Sequence, residues 1–250
     1  MMHPPVGIIG SIVLLAIPFV VGHNHGPNHL AARHEHGHQY TMHGPVIADP
    51  TLSINGIPFS TRAHWMRVAN AALAELESPC SFSAFATAIV NHTAPGLGEL
   101  VCIGVNANSK TGNPTLHGEI AAITNCTAVM TDPDGPFRFT PSKAQAAFKQ
   151  LSLYTNAESC PMCASAIRWS GFREYIYGTS IDALIEQGWG QIRIPSISVF
   201  EQSFDLPTQA RLIGGLLTNE TDPLFFWQFN PDFPCPEGCA RVSGTCKPST

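Results

Sequence analysis

The stretch from residue 151 to residue 170, LSLYTNAESCPMCASAIRWS, decides the fold. It opens with the β-forming run Leu151–Tyr154, which predicts a buried strand. A helical pattern follows over Pro161–Trp169, and proline is favoured at the first position of a helix. Cys160 and Cys163 therefore lie one helical turn apart, at the point where a strand gives way to a helix.

Outward from this stretch, the chain alternates between strand and helix patterns, which is typical of an α/β layer fold. The first pattern predicts a helix over residues 62–77, capped by Ser60 or Thr61 and ended by Pro79. The other predicted elements are strands over Phe82–Val90 and Leu100–Val105 that are placed to form a hairpin, a helix over Leu116–Met130, a loop over 131–140, a short helix after Pro141, a strand over Tyr175–Tyr177 and a helix over Ile181–Gln187.

The composition indicates a folded domain that does not rely on contacts with phosphates. Apolar residues make up 44% of the 250 residues, enough for a core, and charged residues only 12%. The net charge of -5 argues against a protein that holds nucleic acid mainly through its backbone, because such proteins need a basic surface. Lys110, Arg168 and Arg173 are interpreted as isolated, solvated cations.

The amino-terminal segment predicts export. Residues 6–22, VGIIGSIVLLAIPFVVG, carry no charge and end in small residues, which predicts a signal peptide over 1–22 and a secreted protein. An uncleaved membrane anchor is the alternative, but the segment is short for a span. Three sequons that could carry glycans agree with secretion, at Asn91, Asn125 and Asn219.

Residues 23–59 form a leader rich in histidine, for which we predict no fixed structure. Seven histidines fall within residues 23–43, separated mainly by small and polar residues. Imidazoles at this density can bind divalent metals loosely, although a solvated linker explains the composition as well. No spacing within the leader defines a coordination geometry.

A second motif supplies what the cysteines lack for a metal site. His117 and Glu119 open the helix predicted over Leu116–Met130, and together with Cys160 and Cys163 they offer one imidazole and two thiolates. Three such ligands suit a tetrahedral zinc that keeps its fourth position for water. Glu119 is too close to His117 to be an equally good ligand, and it is near enough to exchange protons with that water. A C-x-x-C pair alone could instead be a disulfide or a redox pair.

The two motifs together resemble the zinc-dependent nucleobase and nucleoside deaminases of the cytidine and deoxycytidylate deaminase-like superfamily, whose signature is H-x-E followed by P-C-x-x-C. The resemblance covers roughly residues 60–200, and residues 201–250 form an extension rich in cysteine and proline. It implies a three-layer α/β/α fold with a mixed central sheet, zinc as cofactor and Glu119 as the catalytic residue. Ser159 stands where the signature has proline, and residues 131–148 look inserted.

Further residues narrow the resemblance to one branch. Asn106, followed by Pro114 and Thr115 before the histidine, looks like the branch of guanine deaminases and tRNA adenosine deaminases, in which the asparagine helps to hold the base. Asn106 is therefore a candidate substrate-binding residue. Residues 155–158 and 164–169 look closer to the guanine deaminases.

The resemblance implies a hydrolytic aminohydrolase that releases ammonia from a free nucleobase or nucleoside, with guanine or a related purine favoured. Two alternatives stay open, a deaminase of adenosine or cytidine in RNA or nucleotides and a secreted, non-catalytic metal-binding protein on a deaminase scaffold. No membrane partner is expected after cleavage of the signal peptide, and a homodimer is a possible assembly.

Six cysteines remain outside the motif, and they allow 15 pairings. We predict bridges within the tail from Cys235, Cys239 and Cys246, with one of the three reaching Cys80, whereas Cys102 and Cys126 are interpreted as plain buried thiols. The aromatic residues of the extension are interpreted as docking the tail on the core, or alternatively as closing over a base, and Trp169 as a core residue; that aromatic run is Phe225, Phe226, Trp227 and Phe229.

Overall fold

A computed structural model describes residues 48–249 of the chain. The predicted signal peptide and residues 23–47 of the histidine-rich leader lie outside the described residues. Residues 48–59 contain two short paired strands and the first residue of a helix, so the prediction of no fixed structure is wrong for this part of the leader. Among residues 48–249, no helix combines the length and the apolar character needed to cross a bilayer.

A five-stranded mixed sheet forms the centre of the described residues. Two short strands and the first helix precede it, and a hairpin in the extension follows it. In chain order the strands are β1 (Ser53–Ile54), β2 (Ile57–Pro58), β3 (Ala86–Asn91), β4 (Glu99–Val105), β5 (Leu151–Ala157), β6 (Glu174–Thr179), β7 (Arg211–Ile213), β8 (Cys239–Val242) and β9 (Thr245–Pro248).

Helices cover both faces of this sheet. They are α1 (Phe59–Ala71), α2 (Asn108–Thr111), α3 (Gly118–Thr131), α4 (Pro141–Ala147), α5 (Pro161–Ser170), α6 (Ile181–Glu186), α7 (Ser196–Glu201) and α8 (Thr218–Thr221). The central sheet has the order β4-β3-β5-β6-β7, in which β3 is antiparallel to β4 and β5 while β5, β6 and β7 run parallel. The predicted hairpin of the second pair of strands is thereby confirmed.

The central strands bury side chains on both faces, as a strand covered on two sides must. On β5, Leu153 packs into the core that α3, α4 and α5 cover, and its neighbour Tyr154 packs into the core under α1. On β6, Tyr175 and Ile176 divide between the same two cores. This alternation of period two confirms the predicted three-layer α/β/α class with a mixed central sheet.

The first helix differs from the prediction at its start. It begins at Phe59 directly after Pro58, which is extended, and no side chain caps it, so the predicted cap at Ser60 or Thr61 is wrong. Both of those residues lie inside the helix because the β1–β2 hairpin brings the chain to Pro58 already extended. The helix also ends early and tightens into a 3-10 turn over Ala72–Glu75.

The third strand also begins later than predicted, at Ala86 rather than at Phe82. The side chain of Asn156 explains the difference, because its amide donates to the carbonyl of Ala84 at 2.8 Å and its oxygen accepts from the N–H of Ala86 at 3.0 Å. These bonds take the place of a strand ladder just before β3. The segment from 82 to 85 is thus held as a shaped loop.

Six cysteines form three disulfides. Cys80–Cys239 and Cys235–Cys246 staple the extension, in agreement with the predicted bridges in the tail and to Cys80. The interpretation of Cys102 and Cys126 as free thiols is wrong, because they form the third bridge between β4 and α3.

Close approach of the helix makes this third bridge possible. The Cα atoms of Cys102 and Cys126 are 5.3 Å apart. A Cβ added at Gly104 would lie 2.2 Å from the backbone nitrogen of Ala122, so only glycine lets α3 come this near to β4.

The aromatic run of the extension docks on the core, as predicted. Phe225 and Trp227 are buried, and the indole of Trp189 donates to the carbonyl of Phe225 at 2.7 Å. The guanidinium of Arg241 donates to carbonyls of the same segment, including that of Phe233 at 2.7 Å. These contacts hold the aromatic segment against Trp189 and tie the hairpin of the extension to it.

Two neighbouring residues of α5 have the opposite burial to that predicted. Arg168 is buried and donates to the hydroxyl and the carbonyl of Ser203 and to the carbonyl of Thr208, so it ties α5 to the loop after α7. Trp169 is 76% exposed, so its assignment to the core is wrong. Successive helical residues point about 100° apart, and the inward direction at this turn belongs to the arginine.

A buried ion pair closes the opposite end of the sheet from the cysteine motif. Arg62 of α1 binds both carboxylate oxygens of Glu174, with a shortest distance of 2.9 Å. Asn55 and Ser152 donate to the same carboxylate. Burial acts to raise the pKa of Glu174, but these hydrogen bonds and the charge of Arg62 outweigh it and leave the pKa below its ordinary value.

Candidate metal centre

Two helix N-termini meet beside the end of β5. His117 is the residue before the first turn of α3, and Cys160 is the residue before the first turn of α5, where Pro161 begins the helix. Glu158 fixes the connection from β5, because its carboxylate accepts from the backbone N–H groups of Ile181 and Ser196 at 2.9 and 2.8 Å. The start of α5 is therefore rigidly placed.

This placement brings His117, Cys160 and Cys163 together. The Nδ1 atom of His117 lies 3.7 Å from each of the two Sγ atoms, and the three ligand atoms are all within 4.8 Å of one another. A tetrahedral zinc with a Zn–S bond of about 2.3 Å and a Zn–N bond of about 2.0 Å separates its ligand atoms by roughly 3.5–3.8 Å. The donor set and the spacing therefore fit zinc.

The two thiols of the centre differ in pKa. A hydrogen bond with Cys163 lowers the pKa of Cys160 to about 4, and the same contact raises the pKa of Cys163. The hydrogen bond with Cys160 raises the pKa of His117. The thiol of Cys160 therefore ionises more readily than that of Cys163, and the thiolate is the form that binds a metal.

Glu119 lies in the first turn of α3 and is only 5% exposed. Burial raises the pKa of its carboxyl above the ordinary value, while a contact with Ser159 acts in the opposite direction. A carboxyl with a raised pKa suits a group that must accept a proton and then return it near neutral pH. Ser159, in the place of the signature proline, is itself fully buried.

Asn106 stands at the edge of the centre, after β4. Its backbone N–H donates to the carbonyl of Phe85 at 2.9 Å, and its side-chain oxygen accepts from the N–H of Asn108 at 3.1 Å. Within residues 48–249 its side-chain NH₂ has no hydrogen-bond partner. The group that remains for a ligand is therefore a donor.

Phe85 is a residue that sequence reasoning missed. A Cβ at Gly118 would lie 3.0 Å from the carbonyl of Phe85, so this backbone contacts the start of α3 as well as Asn106. Its ring packs against Phe225 and Trp189, with centroid distances of 4.9 and 5.4 Å. Phe85, Phe225 and Trp189, from three distant segments, thus form an aromatic wall that contacts the start of α3 through the backbone of Phe85. No local pattern could identify it, because the predicted strand over Phe82–Val90 gave the residue no special place.

The three sequon asparagines lie at or near the surface. Asn125 on α3 and Asn219 on α8 are exposed, and Asn91 at the end of β3 is partly exposed. Glycosylation at these positions stays a prediction.

Comparison with known proteins finds a family model that matches the segment carrying this centre. Residues 60–179 match the family described as the cytidine and deoxycytidylate deaminase zinc-binding region. The matched segment contains all three metal-ligand candidates together with Glu119. The match covers just under half of the chain.

Individual relatives are more distant. A probable cytosine deaminase of Schizosaccharomyces pombe is 42% identical over 45 residues, which cover 18% of this chain and 28% of that protein. A guanine deaminase of Bacillus subtilis is 25% identical over 134 residues, which cover 52% of this chain and 74% of that protein. The chain thus spans about a quarter of the first relative and three quarters of the second.

Solved structures of similar proteins include a guanine deaminase from Nitrosomonas europaea, at 20% identity and a TM-score of 0.47, covering 67% of this chain and 82% of that one. A chain from structural work on tRNA:A34 deaminases has 20% identity and a TM-score of 0.48, covering 65% of this chain and 99% of that one.

Proposed function

We propose that the protein is a zinc-dependent hydrolytic deaminase of a nucleobase or nucleoside, with guanine or a related purine as the favoured substrate. The observation that carries the proposal is the convergence of His117, Cys160 and Cys163 within 4.8 Å beside the buried Glu119. The similarity to a guanine deaminase over 134 residues supports the choice of a purine.

The three ligands would hold zinc and leave its fourth position open. Zinc bound there supplies a Lewis acid that lowers the pKa of water toward neutrality. The chain contributes rigid placement, because His117 and Cys160 each stand at a helix start and Glu158 anchors the loop between β5 and α5. The triad therefore needs no rearrangement to take a cation.

Glu119 carries the protons of the reaction. It accepts a proton from the water that attacks the amino-bearing ring carbon, and it gives that proton to the adjacent ring nitrogen. It then takes the remaining proton of the added hydroxyl and passes it to the amino group. Ammonia leaves and the ring carbon becomes a carbonyl, so the sum is water plus the amine giving ammonia plus the oxo base.

Two further groups hold the substrate. The side-chain NH₂ of Asn106 donates to an acceptor atom of the base, and the ring of Phe85, supported by Trp189 and Phe225, offers a flat apolar surface. A planar heteroaromatic ring fits this combination. A polyanionic substrate suits the chain less well, because Arg168 is buried in tail contacts and the net charge is -5.

The experiment that tests this function is release of ammonia from a panel of aminopurines and aminopyrimidines by the full chain loaded with zinc. We expect turnover of at least one purine, loss of turnover in Glu119→Gln, and no change in the exposed control Glu186→Gln. A complete panel without turnover at one zinc per chain would refute the proposal and favour a binding protein. Turnover only of an RNA substrate, with binding weakened by salt, would instead support a deaminase that acts on RNA.

We also propose that the protein is exported. Three disulfides among the described residues support this location, because such bridges persist in oxidising compartments. The uncharged segment 6–22 is the signal peptide in this proposal. Expression with the natural amino terminus in a eukaryotic host should deliver the protein to the medium with a mass that falls on glycosidase treatment. Retention of an unprocessed, unglycosylated chain in the cytosol would contradict the proposal.

A further inference from the structure

The cysteines of this chain divide into two groups. All eight lie between residues 80 and 246, within the described range, and six of them form disulfides. Cys160 and Cys163 are the two that stay free. A fold that closes three bridges is made where thiols are oxidised, so the two remaining thiols are exposed to the same oxidants.

These two thiols are already close enough to react with each other. Their sulfur atoms lie within 4.8 Å, and the residues are separated by one turn at the start of α5. Residues three apart on a helix are neighbours, and rotation of the side chains spans the distance that remains to a bond of about 2 Å.

The two sulfurs differ in access. Cys160 is partly exposed at the residue before α5, whereas Cys163 is completely buried. A dissolved oxidant can therefore reach only the first sulfur directly. The second can act only on its neighbour, which is the arrangement of an attacking and a resolving thiol.

We propose that Cys160 and Cys163 form a dithiol–disulfide site at which oxidation competes with metal binding. In the first step the sulfur of Cys160 attacks a small disulfide such as oxidised glutathione, forming a mixed disulfide and releasing one glutathione thiol. In the second step Cys163 attacks the sulfur of Cys160 and releases the second glutathione thiol. Two protein thiols are oxidised, one glutathione disulfide is reduced, and the two protein protons pass to the released thiols.

The consequence is a switch at the metal centre. Both sulfurs are ligand candidates, so the new bond removes two of the three donors and leaves His117 alone. A bound cation engages the same sulfur electrons and protects them, which makes oxidation and metal loading mutually exclusive. This inference rests on the geometry of the thiols and does not depend on the deaminase activity.

Counting free thiols in the full chain tests the proposal. The zinc-free protein, incubated with oxidised glutathione, should go from two free thiols to none, gain no glutathione mass, and lose its capacity to take up zinc. The zinc-loaded protein should keep both thiols under the same treatment. A zinc-free chain that keeps both thiols, or a zinc-loaded chain that loses them equally fast, would overturn the proposal.

Two single variants test the order of the steps. Cys163→Ser should gain the mass of one glutathione at Cys160 and hold it, because the resolving thiol is missing. Cys160→Ser, the matched control, should stay unmodified because Cys163 is buried. Equal modification of both variants would contradict the assigned roles. If the thiols oxidise as expected but no ammonia is released, only the proposed deaminase activity is refuted. If ammonia is released but the thiols do not oxidise, only the proposed dithiol–disulfide site is refuted.

Discussion

The two ends of the parallel strands β5 and β6 carry buried polar groups that differ in how completely they are hydrogen-bonded. At their beginnings, the carboxylate of Glu174 accepts four hydrogen bonds, two from Arg62 and one each from Asn55 and Ser152. After the end of β5, three ligand atoms converge chiefly on one another. The carboxylate of the first cluster is fully hydrogen-bonded by protein groups, whereas the ligand atoms of the second can still bind a metal ion.

The difference indicates that one end of the sheet contributes to stability and the other end carries the chemistry. A buried carboxylate whose partners satisfy it holds its charge and stiffens the fold. Glu119, by contrast, pairs with no arginine or lysine among the described residues, and burial raises its pKa. If the two ends have these separate roles, substitutions at one end should change activity and substitutions at the other should change stability.

The largest effect is expected at the end that carries the metal centre. Glu119→Gln keeps the shape of the side chain and removes its capacity to take a proton, so kcat for ammonia release should fall by about 10²–10⁴-fold. Zinc content should remain at the wild-type value, and the melting temperature should not fall, because a neutral amide replaces a carboxyl whose burial is unfavourable. Activity within tenfold of the wild type would show that Glu119 is not the proton carrier.

The same substitution at the other end should act on stability. Glu174→Gln leaves Arg62 buried without its counter-charge, and breaking a buried pair in this way lowers the free energy of unfolding by about 3–5 kcal/mol. Urea denaturation measures the change. The surface pair of Arg67 with Glu220 is the matched control, and Glu220→Gln should lower stability by no more than about 1 kcal/mol.

The disulfide beside the centre should have an intermediate effect. Replacing Cys102 and Cys126 together by alanine removes the bridge between β4 and α3, which should lower the free energy of unfolding by about 2–4 kcal/mol. We expect zinc binding at His117 to survive in the folded fraction. Loss of zinc without loss of stability would mean that the bridge positions the start of α3 rather than stabilising the fold.

Low pH should weaken the ion pair between Glu174 and Arg62. The pKa of Glu174 in the folded protein lies below the ordinary value of 4.5, so its ion pair contributes fully above that value and is lost as the pH falls through the lower, folded-state pKa. The free energy of unfolding should therefore decrease below about pH 4.5. Urea titrations at several pH values should show a smaller decrease in Glu174→Gln, and equal slopes would exclude Glu174 as the cause.

The smallest effect concerns the aromatic wall. Phe85→Leu keeps an apolar side chain and removes the flat ring, so KM for the base should rise about 2–10-fold with less change in kcat. Zinc content serves as the control for an intact centre. An unchanged KM would show that the substrate does not contact Phe85.

Much of the fold could be predicted because its signals are local. Pro161 sets the start of α5, the run Leu151–Tyr154 predicts β5, and the alternation of strands and helices indicates the layers. The elements that were missed, including β1, β2, α7 and β7, are short, with few residues to express a period. The start of β3 was misplaced because the side chain of Asn156, far along the chain, takes over its hydrogen bonds.

The sequence by itself determined the chemistry of the centre. A histidine and two cysteines directly before or within the first turn of helices, with a glutamate two residues from the histidine, define the donors by residue type and spacing, which are properties of short segments. Only the tertiary structure decided the bridge from Cys102 to Cys126, the pairing of Arg62 with Glu174 and the place of Phe85 beside Asn106. Each of these depends on the register between distant strands and on how near a helix can approach, and neither quantity is encoded in a local pattern.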